Sequence, residues 1–137
     1  MRYFFDTNII IDIFDKQKKA LDLLTNIASD EYNEIVINRL VYLESLRTIR
    51  TKDTNVYNLA KETLDSFEKV DITQEVYDKA IEFSRFFKTV KHQSLSGGCE
   101  AIDIVHFITA KYYNLTIVSN DTDFDKLEEA YTDFIRA

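Results

Sequence analysis

Four carboxylates stand beside or inside apolar runs. Asp6 ends Tyr3-Phe4-Phe5, and Glu44 follows Leu40-Val41-Tyr42-Leu43. Asp103 interrupts Ala101-Ile102-Asp103-Ile104-Val105-His106-Phe107-Ile108, and Asp121 follows Leu115-Thr116-Ile117-Val118-Ser119-Asn120. An ionised carboxylate near a core is costly unless it is paired or bound to a metal. If the four meet, the natural occupant is a hard divalent cation such as Mg²⁺ or Mn²⁺. The natural chemistry is then metal-assisted attack on a phosphate ester. The cation offsets the repulsion between carboxylates and an anionic phosphodiester, and it activates a bound water. A carboxylate without a metal contact can orient or deprotonate that water.

Each acid also has a plainer reading. Asp6 in Asp6-Thr7-Asn8 can cap a helix, although a cap alone does not explain a carboxylate directly after Phe5. Glu44 can form a surface ion pair with Arg47 one turn on, yet its apolar neighbours predict a partly buried position. Asp103 can be a buried residue hydrogen-bonded to a backbone group or to His106, or part of a narrow solvated stripe with Glu100 and His106. Asp121 and Asp123 can be turn or cap residues.

The elements that must position these groups alternate in type. Tyr3-Phe4-Phe5, Glu34 to Ile37, Lys69 to Ile72 and Leu115 to Val118 read as short buried strands. Helical spacing begins at Ile9 and continues from Ala20 to Ala28. Asn38 caps a helix reaching about Arg50, Asn55 to Phe67 forms another, and Thr73 caps Glu75 to Phe87. Ala101 to Tyr113 is apolar nearly all round and reads as a buried helix. Asp133-Phe134-Ile135 reads as a short edge strand. Residues from Lys88 to Cys99, with the adjacent Gly97-Gly98, read as the one long loop. Such alternation predicts one α/β domain over residues 1–137, with a mostly parallel sheet and helices on both faces. Functional groups then collect beyond the carboxyl ends of the strands. Two strand ends (Asp6, Asp121) and two helix faces (Glu44, Asp103) can make one acidic pocket there.

Composition sets limits on this reading. The chain of 137 residues has room for a real core, and its 45% hydrophobic share is ordinary. No apolar stretch is long enough to span a bilayer, and Asp6 comes too soon for a signal-peptide core. Cys99 is the only cysteine, so no internal disulfide forms, in keeping with a reducing cytoplasm. The formal net charge of −7 argues against generic nucleic-acid binding. Bound cations and local basic patches offset that argument. The candidate patches are Lys16/Lys18/Lys19, Arg47/Arg50/Lys52 and Lys88/Lys91/His92.

At these residues the chain resembles the PIN-domain nucleases, in particular the VapC-type toxins of toxin–antitoxin pairs. The likeness runs end to end. It is carried by Phe5-Asp6-Thr7-Asn8-Ile9-Ile10, by Asn38 to Arg47 with Glu44, by Ala101-Ile102-Asp103-Ile104 with Thr109-Ala110, and by Leu115 to Phe124. No single piece is specific, but their order and spacing together are. The resemblance implies a three-layer α/β/α sandwich and a Mg²⁺- or Mn²⁺-dependent endoribonuclease. By position, Asp6, Glu44, Asp103 and Asp121 match the family's acidic quartet, and Asp123 matches a variable extra acid. Asn8 and Ser119 match polar residues that orient the site. It further implies an RNA substrate, a homodimer in the cytoplasm, and a VapB-type antitoxin whose C-terminal segment lies over the site. The segment from Ser94 to Cys99 is longer and less basic than the family pattern.

Rival readings differ in which residues they need. A haloacid-dehalogenase enzyme wants a second Asp where this chain has Asn8, and a receiver domain wants a late Lys after a strand. Neither needs Glu44 or Asp103. A housekeeping PIN nuclease keeps the chemistry without an antitoxin, and a non-catalytic PIN-like module keeps the metal without cleavage.

Overall fold

The computed structural model describes residues 1–90 and 100–137. In chain order the elements are β1 (Arg2–Phe5), α1 (Thr7–Phe14), α2 (Lys18–Ala28), β2 (Glu34–Asn38), α3 (Arg39–Leu46), α4 (Thr54–Asp65), β3 (Glu68–Val70), α5 (Gln74–Val90), α6 (Glu100–Tyr112), β4 (Thr116–Val118) and α7 (Asp123–Phe134). Their contacts divide the chain into two units. The first holds Met1–Asp71 and Thr116–Asn120, and the second holds Ile72–Leu115 and Asp121–Ala137.

The first unit carries the whole sheet. Its strand order is β3-β2-β1-β4, and every neighbouring pair is parallel. The register sets Tyr3 opposite Ile35 on one side and Thr116 on the other. Central strands of a parallel sheet are covered on both faces, and Phe4, Phe5, Val36 and Ile37 are accordingly fully buried. The expected α/β class and parallel sheet are therefore present. The stretch from Ile9 to Ala28 divides into α1 and α2 at Lys16, which takes a left-handed φ of 56°. Asn38 ends β2 and caps α3, its Oδ1 accepting the Val41 N–H at 2.9 Å while fully buried. The helix stops at Leu46, one turn short of the expected Arg50. At the opposite end of the strands, Arg2 donates to Glu34 at 3.1 Å and to Glu68 at 2.6 Å, tying three strands together.

The second unit is helical. Thr73 Oγ1 accepts the Val76 N–H at 3.3 Å, the cap expected from sequence. Its core is aromatic. Phe83 stacks on Phe107 with centroids 5.6 Å apart and meets Tyr131 and Phe134 edge-on at 5.7 and 5.3 Å. This cluster corrects the reading of Asp133-Phe134-Ile135 as an edge strand. Phe124, Leu127, Ala130, Tyr131 and Phe134 recur at helical spacing, so α7 runs through Phe134, burying the first three and half-burying Tyr131 and Phe134. Lys111 on α6 donates to Glu128 on α7 at 2.6 Å. Asn114, at φ 55°, ends α6 before β4; asparagine tolerates that left-handed conformation. Lys88 to Val90 continue α5 rather than opening a loop. The rest of the expected loop lies outside the described residues. Among those described, no helix is long and apolar enough to cross a membrane.

Candidate functional site

The first unit holds Asp6, Asn8, Glu44 and Ser119. Asp6 ends β1, and its N–H donates to the Val118 carbonyl of β4 at 3.2 Å. It is only 3% exposed. Its Oδ1 accepts the Asn8 N–H at 3.3 Å, and its Oδ2 accepts the Ser119 hydroxyl at 2.5 Å. The N-cap reading thus holds, but the cap engages one oxygen and the residue after β4 engages the other. The N-terminal end of α1, the positive end of its dipole, is thus directed at this carboxylate. Asn8 enters through its backbone, and the residue itself is exposed.

Glu44 is half-buried on α3, as its apolar neighbours predicted. Its Oε1 accepts the Thr7 hydroxyl at 2.8 Å, a bond between α1 and α3. Thr7 is a residue the acidic pattern missed. The available signal was a buried-side threonine between Asp6 and the apolar pair Ile9-Ile10. Beside Ser119, a cleft of about 530 Å³ opens against α1 and α2, with Ile9, Asp12, Ala20, Leu23 and Asn120 in its wall. Asn120 donates its side-chain amide to Asp12, which fastens the segment after β4 onto α1.

The second unit brings Asp103, Asp121 and Asp123 together. One carboxylate oxygen from each lies within 4.8 Å of the other two. Asp103 sits in the first turn of α6 and is half-buried. His106, one turn on, is 1% exposed, so Glu100, Asp103 and His106 do not form a solvated stripe. Asp121 Oδ1 accepts the Asp123 N–H at 2.9 Å, a local turn that opens α7. Asp123 is fully buried, and Lys126 Nζ stands 3.4 Å from its Oδ1. Neither the full burial of Asp123 nor the ammonium beside it was anticipated. The i,i+3 spacing of Asp123 and Lys126 on a helix was the readable signal.

Three carboxylates are the right donor type for a hard cation. Oxygens on opposite sides of one Mg²⁺ stand roughly 4 Å apart. Of three oxygens on one octahedral ion only one pair can stand opposite, and the other pairs are adjacent at roughly 3 Å, so the carboxylates draw closer than a spread of up to 4.8 Å to share a single ion. The donor type suits Mg²⁺ or Mn²⁺. The surface cations are partly neutralised by close acids. Lys18 pairs with Asp22 at 3.0 Å, Arg50 with Asp53 at 3.0 Å and Lys88 with Glu100 at 3.9 Å. Each candidate basic patch thus has a member committed to an acid; Lys91 and His92 lie outside the described residues.

The family model described as "PIN domain" matches residues 3–130. The chain belongs to the PIN-domain family. No curated protein matches its sequence. Among solved structures, this PIN-domain chain is similar to a toxin–antitoxin complex from Klebsiella pneumoniae (TM-score 0.69, 19% identity, covering 88% of this chain and 87% of that one). It is also similar to VapBC2 from Rickettsia felis bound to a DNA fragment from its promoter (TM-score 0.67, 20% identity, 93% of each chain). At such identities the likeness is one of fold.

Proposed function

We propose that this PIN-domain protein is a metal-dependent endoribonuclease, acting as the toxin of a type II toxin–antitoxin pair. The observation that carries the reading is the grouping of Asp103, Asp121 and Asp123 oxygens within 4.8 Å in a chain of this family. Asp103, Asp121 and Asp123 are assigned to hold Mg²⁺ or Mn²⁺, and Asp6 and Glu44 are assigned catalytic roles by their match to the family's acidic quartet. A bound ion would polarise the phosphoryl oxygen and lower the pKa of a water. The rest falls to the chain's own groups. The Ser119 hydroxyl holds the Asp6 carboxylate through Oδ2, and the Asn8 backbone N–H holds it through Oδ1. Asp123, fully buried beside Lys126, keeps the start of α7 fixed under Asp121. A carboxylate not engaged by the ion takes the proton from the attacking water, the phosphodiester P–O bond to the leaving oxygen breaks as the new P–O bond forms, and the leaving oxygen takes a proton from solvent water.

The toxin reading is supported by the similar fold of the two toxin–antitoxin proteins. It carries with it a cytoplasmic homodimer and a VapB-type partner, whose cationic segment suits an acidic site. Purified protein with Mn²⁺ is expected to cleave RNA, and excess EDTA is expected to stop it. Asp103→Asn, nearly isosteric, is expected to lose at least about a hundredfold in rate while its circular dichroism spectrum is kept, since one lost metal ligand costs several kcal/mol of transition-state stabilisation. Cleavage that survives EDTA, or full activity in Asp103→Asn, would overturn the assignment. Growth arrest relieved by the adjacent reading frame would support the toxin role, and its absence would favour a housekeeping nuclease.

A further inference from the structure

Thr7 is the first residue of α1, buried to 8% exposure, and the acidic set does not include it. A threonine at a helix start commonly spends its hydroxyl locally, on the cap of its own helix. Here Asp6 provides the cap, accepting the Asn8 N–H. The Thr7 hydroxyl instead crosses to α3 and donates to Glu44 Oε1 at 2.8 Å, between residues 37 apart in sequence.

The two side chains differ in freedom. Threonine is branched at Cβ and has few χ1 states open to it in a helix. Glutamate has three side-chain torsions and, half-exposed, many rotamers. The bond therefore ties a side chain of three torsions to a rigid donor. A hydrogen bond from a hydroxyl to a carboxylate is among the stronger kinds. We propose that Thr7 is a positioning residue: it fixes the rotamer of Glu44 and so the direction in which that carboxylate faces the reaction. This rests on the nuclease reading above.

The test compares Thr7→Val, which keeps the branched shape without the hydroxyl, with Thr7→Ser, which keeps the hydroxyl. With RNA and Mn²⁺, Thr7→Val is expected to lose about tenfold in kcat, the equivalent of one charged hydrogen bond, with KM changed by less than about twofold. Thr7→Ser is expected to recover to within about threefold of wild type, since the donor is restored. In a Glu44→Gln background, Thr7→Val is expected to add little to the loss, because its effect passes through Glu44. A crystal structure of Thr7→Val should show Glu44 in a rotamer away from residue 7. A wild-type kcat in Thr7→Val, no recovery in Thr7→Ser, a full tenfold loss in the Glu44→Gln background, or an unmoved Glu44 would each overturn the positioning role while leaving the nuclease reading intact. A wild-type protein that cleaves no RNA would overturn both.

Discussion

Replacing Asn38 by Ala should destabilise the protein by about 2 kcal/mol, the upper end of the range for a lost N-cap. The reason for the upper end lies in the burial. Asn38 is fully buried, and its Oδ1 accepts the Val41 N–H at 2.9 Å at the start of α3. Truncation removes that bond and leaves the Val41 N–H buried without its acceptor, which adds a desolvation cost. A chain of 137 residues unfolds with an entropy of about 0.3 kcal/mol per degree, so the melting temperature should fall by about 7 °C. Thermal melts by circular dichroism and urea titrations at matched pH read both quantities. The urea midpoint should move without a change in slope. The effect reaches the site as well, because α3 carries Glu44, so catalysis should fall more than folded fraction alone explains. A midpoint shift under about 2 °C, equivalent to roughly 0.5 kcal/mol, would refute the argument that this cap holds α3 in place.

Three further outcomes follow from the same kind of reasoning. Ser119→Ala removes the donor to Asp6 Oδ2; a fall in cleavage of about tenfold or more is expected, from a hydrogen bond to a charged group, and an unchanged rate would remove Ser119 from the site. Phe83→Ala empties the centre of the aromatic cluster formed with Phe87, Phe107, Tyr131 and Phe134; a loss of about 3–5 kcal/mol is expected, and a loss under about 1 kcal/mol by urea titration would contradict the packing. The Glu68 carboxyl is held below its ordinary range by the hydrogen bond from Arg2, with burial opposing. A depressed carboxyl pKa adds stability that is present above the unfolded value and lost as the pH falls through the folded one. Both side chains are well exposed, at 38% and 45%, so the contribution is under about 1 kcal/mol. Glu68→Gln should therefore be slightly less stable than wild type at pH 7, with the gap closing on acidification below about pH 4, near the ordinary carboxylate range; a gap that widened would reverse the sign argued here.

The sheet was readable because short apolar runs such as Phe4-Phe5 and Val36-Ile37 have few other uses, and helix starts were readable where a capping side chain announced them, at Asn38 and Thr73. The misread segment, Asp133 to Ile135, shows the limit of local reading. Its apolar pair looked like an edge strand, whereas the helical spacing back to Phe124 placed Phe134 against Phe83. The break at Lys16 was hidden because a left-handed lysine has no sequence signature of the kind glycine gives. At the candidate site, the buried or half-buried placement of Asp6, Glu44 and Asp103 could be read from their apolar surroundings. What could not be named was how each is held. The Ser119 bond to Asp6 and the Thr7 bond to Glu44 join residues 113 and 37 apart, and the complete burial of Asp123 is decided by how α7 packs. Only tertiary structure supplies those partners.

Crystals soaked with Mn²⁺ and measured for anomalous scattering address the metal assignment most directly. A peak in contact with carboxylate oxygens of Asp103, Asp121 or Asp123, lost in Asp103→Asn crystals, is the predicted result. Density at other acids with these three left bare, or an equal peak in the Asp103→Asn protein, would contradict it.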